Sequence, residues 1–298
     1  MIEGHPHDRS GRTPRIDAHH HLWDLTSGLY SWPTPAEAAI HRTFTADELA
    51  PELRATGIDA TVVVQATDSL ADTDAMIDAA TRHAWIAGVV GWLPLEDRAA
   101  AERELAERRG RLCGVRHLIH WEDDPTWLLR PSVQPGLGML AEAGLPFDAV
   151  AVFPDHLPLV PALAEAHPDL VVVIDHLAKP PFRADGWDAW VSAIRRAADH
   201  PRVHAKVSGL DTAAGPGWTV DELRPAWEVA LEAFGPARLM FGSDWPVCRL
   251  VSSYRDVVQA ARTLVSELTP GERDRVLGGT AIEIYRLSLE ESAPPTSR

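Results

Sequence analysis

Eight short β-rich runs alternate with eight amphipathic segments along nearly the whole chain, and this alternation limits the fold more than any other feature. The β-rich runs fall at 15–19, 59–65, 85–92, 112–119, 147–152, 170–175, 202–208 and 238–243. Segments with helical spacing of apolar residues fall at 46–56, 70–83, 97–109, 133–143, 158–167, 186–199, 220–234 and 252–267. Strands separated by helices pair in parallel, because each helix carries the chain back to the starting edge of the sheet. Val62-Val63-Val64 and Val171-Val172-Val173 are apolar without interruption, as strands covered on both faces require. No Gly-x-Gly-x-x-Gly follows an early strand, which disfavours an open doubly wound sheet. The pattern predicts a single α/β domain, a closed (β/α)8 TIM barrel over residues 15–289. A last helix near 271–288 is expected beneath or beside it, with residues 1–14 and 290–298 as flexible tails. Thr45-x-x-Glu48, Thr219-x-x-Glu222 and Thr269-x-x-Glu272 read as capping boxes, and Gly57 and Gly144 as left-handed helix ends.

The length of 298 residues accommodates one barrel of about 250 residues with extended loops. A formal net charge of −15 argues against nucleic acid, whose phosphates demand a basic surface. No apolar run approaches the ~20 residues of a membrane span. Two cysteines, Cys113 and Cys248, make no disulfide framework, and the first residues are polar rather than signal-like. Both features fit a cytoplasmic protein. The expected partner is a small molecule, and no feature sets an oligomeric state.

The densest chemistry lies in Asp17-Ala18-His19-His20-His21, at the end of the first strand. Side chains alternate across a strand, so His19 and His21 share a face with Asp17 behind them, and His20 faces away. The strand at 170–175 runs into His176, and the strand at 238–243 runs into Asp244. In a barrel, sites form where the carboxyl ends of the strands meet. His19, His21, His176 and Asp244 all belong there, which scattered structural histidines would not. Imidazoles and a carboxylate suit one zinc-like divalent ion. Without metal, the same groups polarise a carbonyl and activate water.

Other residues are candidates for substrate contact. Arg116, after the fourth strand, offers a guanidinium fork for a carboxylate, a lactone oxygen or a hydroxyl pair, with a structural ion pair as the competing role. His117 and His120 cannot both share its direction. His156, beyond the fifth strand, reads either as a contact or as a loop residue. Of 11 tryptophans, Trp32 in the first loop and Trp245 after the eighth strand are expected at a pocket, where flat rings pack on sugar C–H faces. Only Lys179 and Lys206 are lysines among 28 basic residues. Lys206, inside a strand, is expected buried or facing the site. For Lys179, a solvated surface and a site role stay equally open.

Several segments together resemble the amidohydrolase superfamily, and within it the branch containing the L-fuconolactonases and L-rhamnonolactonases. They are Ile16–Trp23, Gly114–His117, Val173–Pro180, Lys206–Leu210, Arg238–Pro246 and the glycine-bearing Leu277–Ala281, in order along nearly the whole chain. The resemblance implies a distorted (β/α)8 barrel and hydrolysis of a sugar-acid lactone, L-fucono- or L-rhamnono-lactone-like, to its aldonate. It places His19, His21 and His176 around the scissile carbonyl and makes Asp244 the base, with Asp244 or His176 returning the proton. Full two-metal amidohydrolases carry a bridging lysine or glutamate at the end of strand four. Here that position runs into Arg116 and His117, which implies one metal or metal-independent catalysis. Metal-dependent decarboxylation and a non-catalytic sugar-acid-binding barrel are the alternatives.

Overall fold

The computed structural model describes residues 12–289. Eight parallel strands pair strictly in chain order: β1 Ile16–His20, β2 Ala60–Val64, β3 Ile86–Gly91, β4 Gly114–His117, β5 Phe147–Ala149, β6 Val172–Ile174, β7 Val203–Val207 and β8 Leu239–Phe241. The interleaved helices are α1 Ala46–Thr56, α2 Leu70–Arg82, α3 Arg98–Glu107, α4 Gln134–Ala143, α5 Val160–Ala166, α6 Trp187–Ala198, α7 Leu210–Ala214, α8 Val220–Phe234 and α9 Tyr254–Leu264. Each expected strand and helix is found; β1 is as long as its run but lies one residue later, and the other seven strands are shorter than theirs. This is the anticipated (β/α)8 barrel. Among the described residues, no helix is long and apolar enough to cross a membrane. Residues 1–11 and 290–298, including His5 and His7, lie outside the described residues. Arg12 is already held against the Asp59 carboxylate, at 2.7 Å.

Two apolar layers hold the barrel. One lies between strands and helices. The other fills the barrel's lower half, where Ile16, Ala18, Val62, Val64, Val90, Val173 and Met240 meet Ala281, Ile282, Tyr285 and Leu287. The expected last helix is thus a plug beneath the strands. It is broken into α10 Pro270–Asp274, a π-turn at Arg275–Gly279 and α11 Thr280–Ile284.

Of the three capping boxes, only Thr269–Glu272 forms. Thr45 makes no side-chain cap bond. Thr219 accepts from the Glu222 N–H, but the Glu222 carboxylate is drawn to the Arg183 guanidinium, at 2.7 Å. Gly57 and Gly144 do end α1 and α4 in the left-handed conformation.

A bulge in β1 matters most for the site. Its register against β2 shifts between Asp17 and His20. An extra residue breaks the two-residue alternation. Ala18 therefore faces the barrel interior, and so does its neighbour His19. Asp17 is turned the other way, contrary to strict alternation: it accepts from the Ser243 N–H at 2.8 Å and from the Tyr254 hydroxyl of α9 at 3.1 Å. His20 faces outward as expected and meets Thr61 Oγ1 at 2.9 Å.

Candidate active site

The seam of the barrel seats the carboxylate beside the histidines. β8 closes against β1 through the residues that follow it. The Asp244 N–H donates to the His19 carbonyl at 2.8 Å, and the His21 N–H donates to the Trp245 carbonyl at 2.6 Å. Close approach requires Gly242, since a Cβ there would sit 2.6 Å from the Cβ of His19. The bonds that close the barrel thereby fix Asp244 next to both imidazoles.

His19 Nε2 lies 3.2 Å from His21 Nε2, and Asp244 Oδ1 lies 3.3 Å from His21 Nε2 and 3.7 Å from His19 Nε2. Ligand atoms of His19, His176 and Asp244 all fall within 4.8 Å of one another. Each imidazole is oriented from behind. His21 Nδ1–H donates to the Val64 carbonyl at 2.8 Å, which leaves its Nε2 lone pair facing the cluster. His176 Nδ1 pairs with Ser208 Oγ at 2.9 Å, and His19 Nδ1 faces Asp175 Oδ1 at 3.2 Å. A lone pair of His21 facing a carboxylate oxygen at 3.3 Å calls for a cation between them, either a proton or a metal ion. Metal bonds of ~2.0–2.1 Å at tetrahedral angles put ligand atoms ~3.3 Å apart, so the spacing fits one four-coordinate ion. Burial drives the His176 pKa down to about 4 and that of His19 well below the usual imidazole value. Burial alone would push Asp244 up, but His176, His21 and His19 around it outweigh burial and hold it below the carboxylate range.

Backbone strain is concentrated here. His176, Leu177, Ala178 and Lys179 all have positive φ, at 56°, 47°, 62° and 54°, and Asp244 has φ 56°. Left-handed backbone costs an L-residue roughly 1–2 kcal/mol. The turn is braced from three sides: Lys179 N–H donates to the His176 carbonyl at 2.9 Å, Phe153 N–H to the Ala178 carbonyl at 3.0 Å, and the Trp190 indole to the Leu177 carbonyl at 2.9 Å. Residues three apart in so tight a turn share a face. Both His176 and Lys179 accordingly line one cavity of about 340 Å³. Gly209, at φ 58°, lets the chain pass under the cluster, where a Cβ would come within 2.8 Å of His176 Nδ1.

The cavity has a polar floor of His21, Arg116, His176 and Asp244, and a rim of Trp23, Trp32, Trp121 and Leu250. The rim rings touch edge to face, Trp23 to Trp32 at 5.9 Å and Trp32 to Trp121 at 6.5 Å between centroids. Beneath the floor, the Asp175 carboxylate joins three groups: His19, the Arg116 guanidinium at 3.0 Å and the Lys206 ammonium at 3.2 Å. Burial opposes its ionisation, yet Lys206, His19 and Arg116 hold its pKa well below the usual range. Lys206 is fully buried and also grips Asp148 at 2.5 Å, and Asp148 accepts from the Tyr285 hydroxyl of the plug at 2.8 Å.

The structure brings His21, His176, Asp244, Arg116 and Trp32 to one cavity, with His19 fully buried against His21 and Asp244. Arg116 makes the structural ion pair, with Asp175, and donates to the Gln65 carbonyl, and it also lines the cavity. Three expected contacts lie elsewhere. Lys206 is sealed behind His19, fully buried in β7 and away from the cavity lining. Trp245 packs edge to face on Phe44, because the seam bond through its carbonyl turns its ring into the helix layer. His156 caps a short turn, with its Nδ1 at 3.3 Å from the Val152 carbonyl. His117 stacks on Trp127 and bonds Glu122, while His120 lines the cavity. Sequence reasoning missed the central place of Asp175 and left Lys179 undecided. The scarcity of lysine was the signal for Lys179.

Fold and site define a (β/α)8 barrel with a buried histidine–aspartate centre at the carboxyl ends of its strands. Residues 16–287 match the family described as Amidohydrolase, and the chain belongs to that family. It is 38% identical over 280 residues to an L-fucono-1,5-lactonase of Burkholderia ambifaria, covering 92% of this chain and 96% of that protein. It is 36% identical over 286 residues to an L-fucono-1,5-lactonase of Burkholderia multivorans, with the same coverage of both chains. It superposes with a TM-score of 0.87 on an amidohydrolase of Burkholderia multivorans solved with bound zinc, at 34% identity, covering 92% of this chain and 100% of that one.

Proposed function

We propose that the protein hydrolyses a sugar-acid lactone of the L-fucono- or L-rhamnono-1,5-lactone type to its aldonate. The observation that carries this reading is the Asp244 carboxylate held 3.3–3.7 Å from two imidazoles on the floor of a tryptophan-rimmed cavity. Its resemblance to two L-fucono-1,5-lactonases at 36–38% identity supports the substrate class.

Asp244, ionised, accepts a proton from a water poised over the cluster, and the hydroxide adds to the lactone carbonyl carbon. Arg116 holds a fixed positive charge toward the developing oxyanion. The tetrahedral adduct collapses, the ring C–O bond breaks, and the released alkoxide takes up a proton. Trp32 with Trp23 and Trp121 seats the sugar's C–H face and keeps the ring over the floor. The residues that would hold one divalent, zinc-like ion are His19, His21, His176 and Asp244. Such an ion, when bound, supplies Lewis-acid polarisation of the carbonyl. Strand four offers no bridging carboxylate or lysine among the cluster residues, which favours one ion over two.

Proton release at constant pH across a panel of sugar 1,4- and 1,5-lactones tests the reading. One acid per lactone opened, without CO2, is expected. Absence of turnover on every lactone, with tight binding retained, would instead mark a sugar-acid-binding barrel.

A further inference from the structure

We propose that Lys179 is a catalytic residue, the proton donor to the ring oxygen that leaves when the lactone opens. The inference rests on the lactonase reading and gives to Lys179 the proton return that the family resemblance implies for Asp244 or His176.

Three observations meet at Lys179. First, its side chain lines the same cavity as His176 and Asp244. Second, it arrives there through four consecutive left-handed residues, none of them glycine, a conformation that chains avoid unless the fold holds them in it. That turn puts His176 on the floor and Lys179 above it on the same wall. Third, its ammonium has no hydrogen-bond or ion-pair partner among the described residues, although 26 arginines and Lys206 compete for the same carboxylates elsewhere. A cation placed in a cavity by strained backbone and left unpaired is available to a substrate.

Three other groups at the cavity are committed or unsuited, and proton return by Asp244 or His176 is the rival assignment that the test below separates. Arg116 spends its N–H groups on Asp175 and Gln65, and a guanidinium does not give up its proton. His120 is driven down to about 3, chiefly by burial and then by Lys179 and Arg116, so it holds no acidic proton to give at neutral pH. Thr212 is a far weaker acid than an ammonium. Lys179 is exposed at the cavity mouth, so after each turnover it recovers its proton from bulk water. The step balances. The ring C–O bond breaks with its electron pair going to oxygen, an N–H bond of Lys179 breaks as the new O–H forms, and a neutral amine remains. Asp244 releases to solvent the proton it took from water, Lys179 regains one, and the net product is aldonate plus one proton.

The test compares leaving groups. A sugar 1,5-lactone expels an alkoxide that needs a proton. Dihydrocoumarin, also a six-membered lactone, expels a phenoxide that needs none. Lys179→Met removes the donor and keeps an apolar stem, and Lys179→Arg keeps the charge without a usable proton. Both variants are expected to lose ~100-fold or more in kcat on the sugar lactone, the scale of a positioned acid, and far less on dihydrocoumarin. Equal losses on the two lactones, a change in KM alone, or recovery of sugar-lactone kcat by arginine would each overturn the assignment. If the wild type does not turn over dihydrocoumarin, the arginine variant decides: persistent loss supports proton donation and recovery refutes it. Wild-type protein inert toward all lactones defeats the lactonase reading itself, and this proposal with it. Thermal melting of each variant keeps misfolding apart from loss of chemistry.

Discussion

Asp244→Asn is the sharpest perturbation of the site. Asp244 is nearly fully buried, sits at φ 56°, and takes part in barrel closure through its backbone: its N–H donates to His19 and its carbonyl accepts from the Cys248 N–H at 3.0 Å. Asparagine tolerates left-handed backbone as well as aspartate does, so those bonds survive. The amide keeps the size of the side chain and loses only its basicity. A positioned acid–base group contributes about 10²–10⁴ in rate, or ~2.7–5.5 kcal/mol of barrier. The expected result is a kcat lower by that factor, a KM changed much less, and a Tm within a few degrees of wild type, because 1 kcal/mol moves a domain of this size by only ~2 °C. The assay is proton release on a sugar 1,5-lactone, with spontaneous opening subtracted, run on the preparation used for melting. A stable asparagine variant with kcat within tenfold of wild type would remove Asp244 as the base. Lost stability with normal turnover per folded molecule would make it a brace of the barrel seam.

Three further outcomes are expected. Elemental analysis of freshly purified protein should find at most one zinc-like ion per chain, and two tightly held ions ~3.5–4 Å apart would refute the reading of strand four. Lys206→Met leaves the carboxylates of Asp148 and Asp175 buried without their shared ammonium. It should lower the unfolding free energy in urea by ~3–5 kcal/mol, and a loss under ~1 kcal/mol would show that the buried network is not held by Lys206. His204, on β7, is buried and its pKa is lowered to about 4, chiefly by that burial. The unfolded chain, near 6.5, binds the proton first, so His204 removes up to ~3 kcal/mol of stability as pH falls from 6.5 to about 4. His204→Gln should flatten the decline of Tm across that window, and an unchanged slope would contradict it.

The barrel was legible because its signals are periodic. Alternating strand and helix patterns survive small local errors, and the carboxyl end of each strand follows once the strands are placed. That is why His19, His176 and Asp244 could be assembled from three distant segments. What escaped was aperiodic. The bulge at Ala18–His19 inserts one residue and turns Asp17 toward Tyr254, away from the face that alternation gave it. Trp245 lies just after a strand, as a pocket residue should, but the backbone bond that closes the barrel sends its ring to Phe44. Lys206 points toward the barrel axis as a site residue would, yet below the floor, a difference of depth that residue spacing does not report.

The deepest omission was the left-handed turn after β6, and its invisibility is informative. Among the described residues, six that are not glycine take positive φ: His176, Leu177, Ala178, Lys179, Asp244 and Arg286. Neither leucine nor alanine signals such a turn, and local propensity argues against it at each step. Five of the six belong to the two segments that carry His176, Lys179 and Asp244 to the cavity. Natural sequences agree with their local preferences except where function demands otherwise. All but one of these strained residues therefore fall in the segments that would bind and open the substrate, and the bonds from Phe153 and Trp190 brace the turn. A glycine placed at Ala178 should relieve the turn and stabilise the folded protein while loosening His176 and Lys179. If Ala178→Gly instead left both Tm and kcat untouched, the left-handed turn would carry no strain and its confinement to the site would lose its meaning.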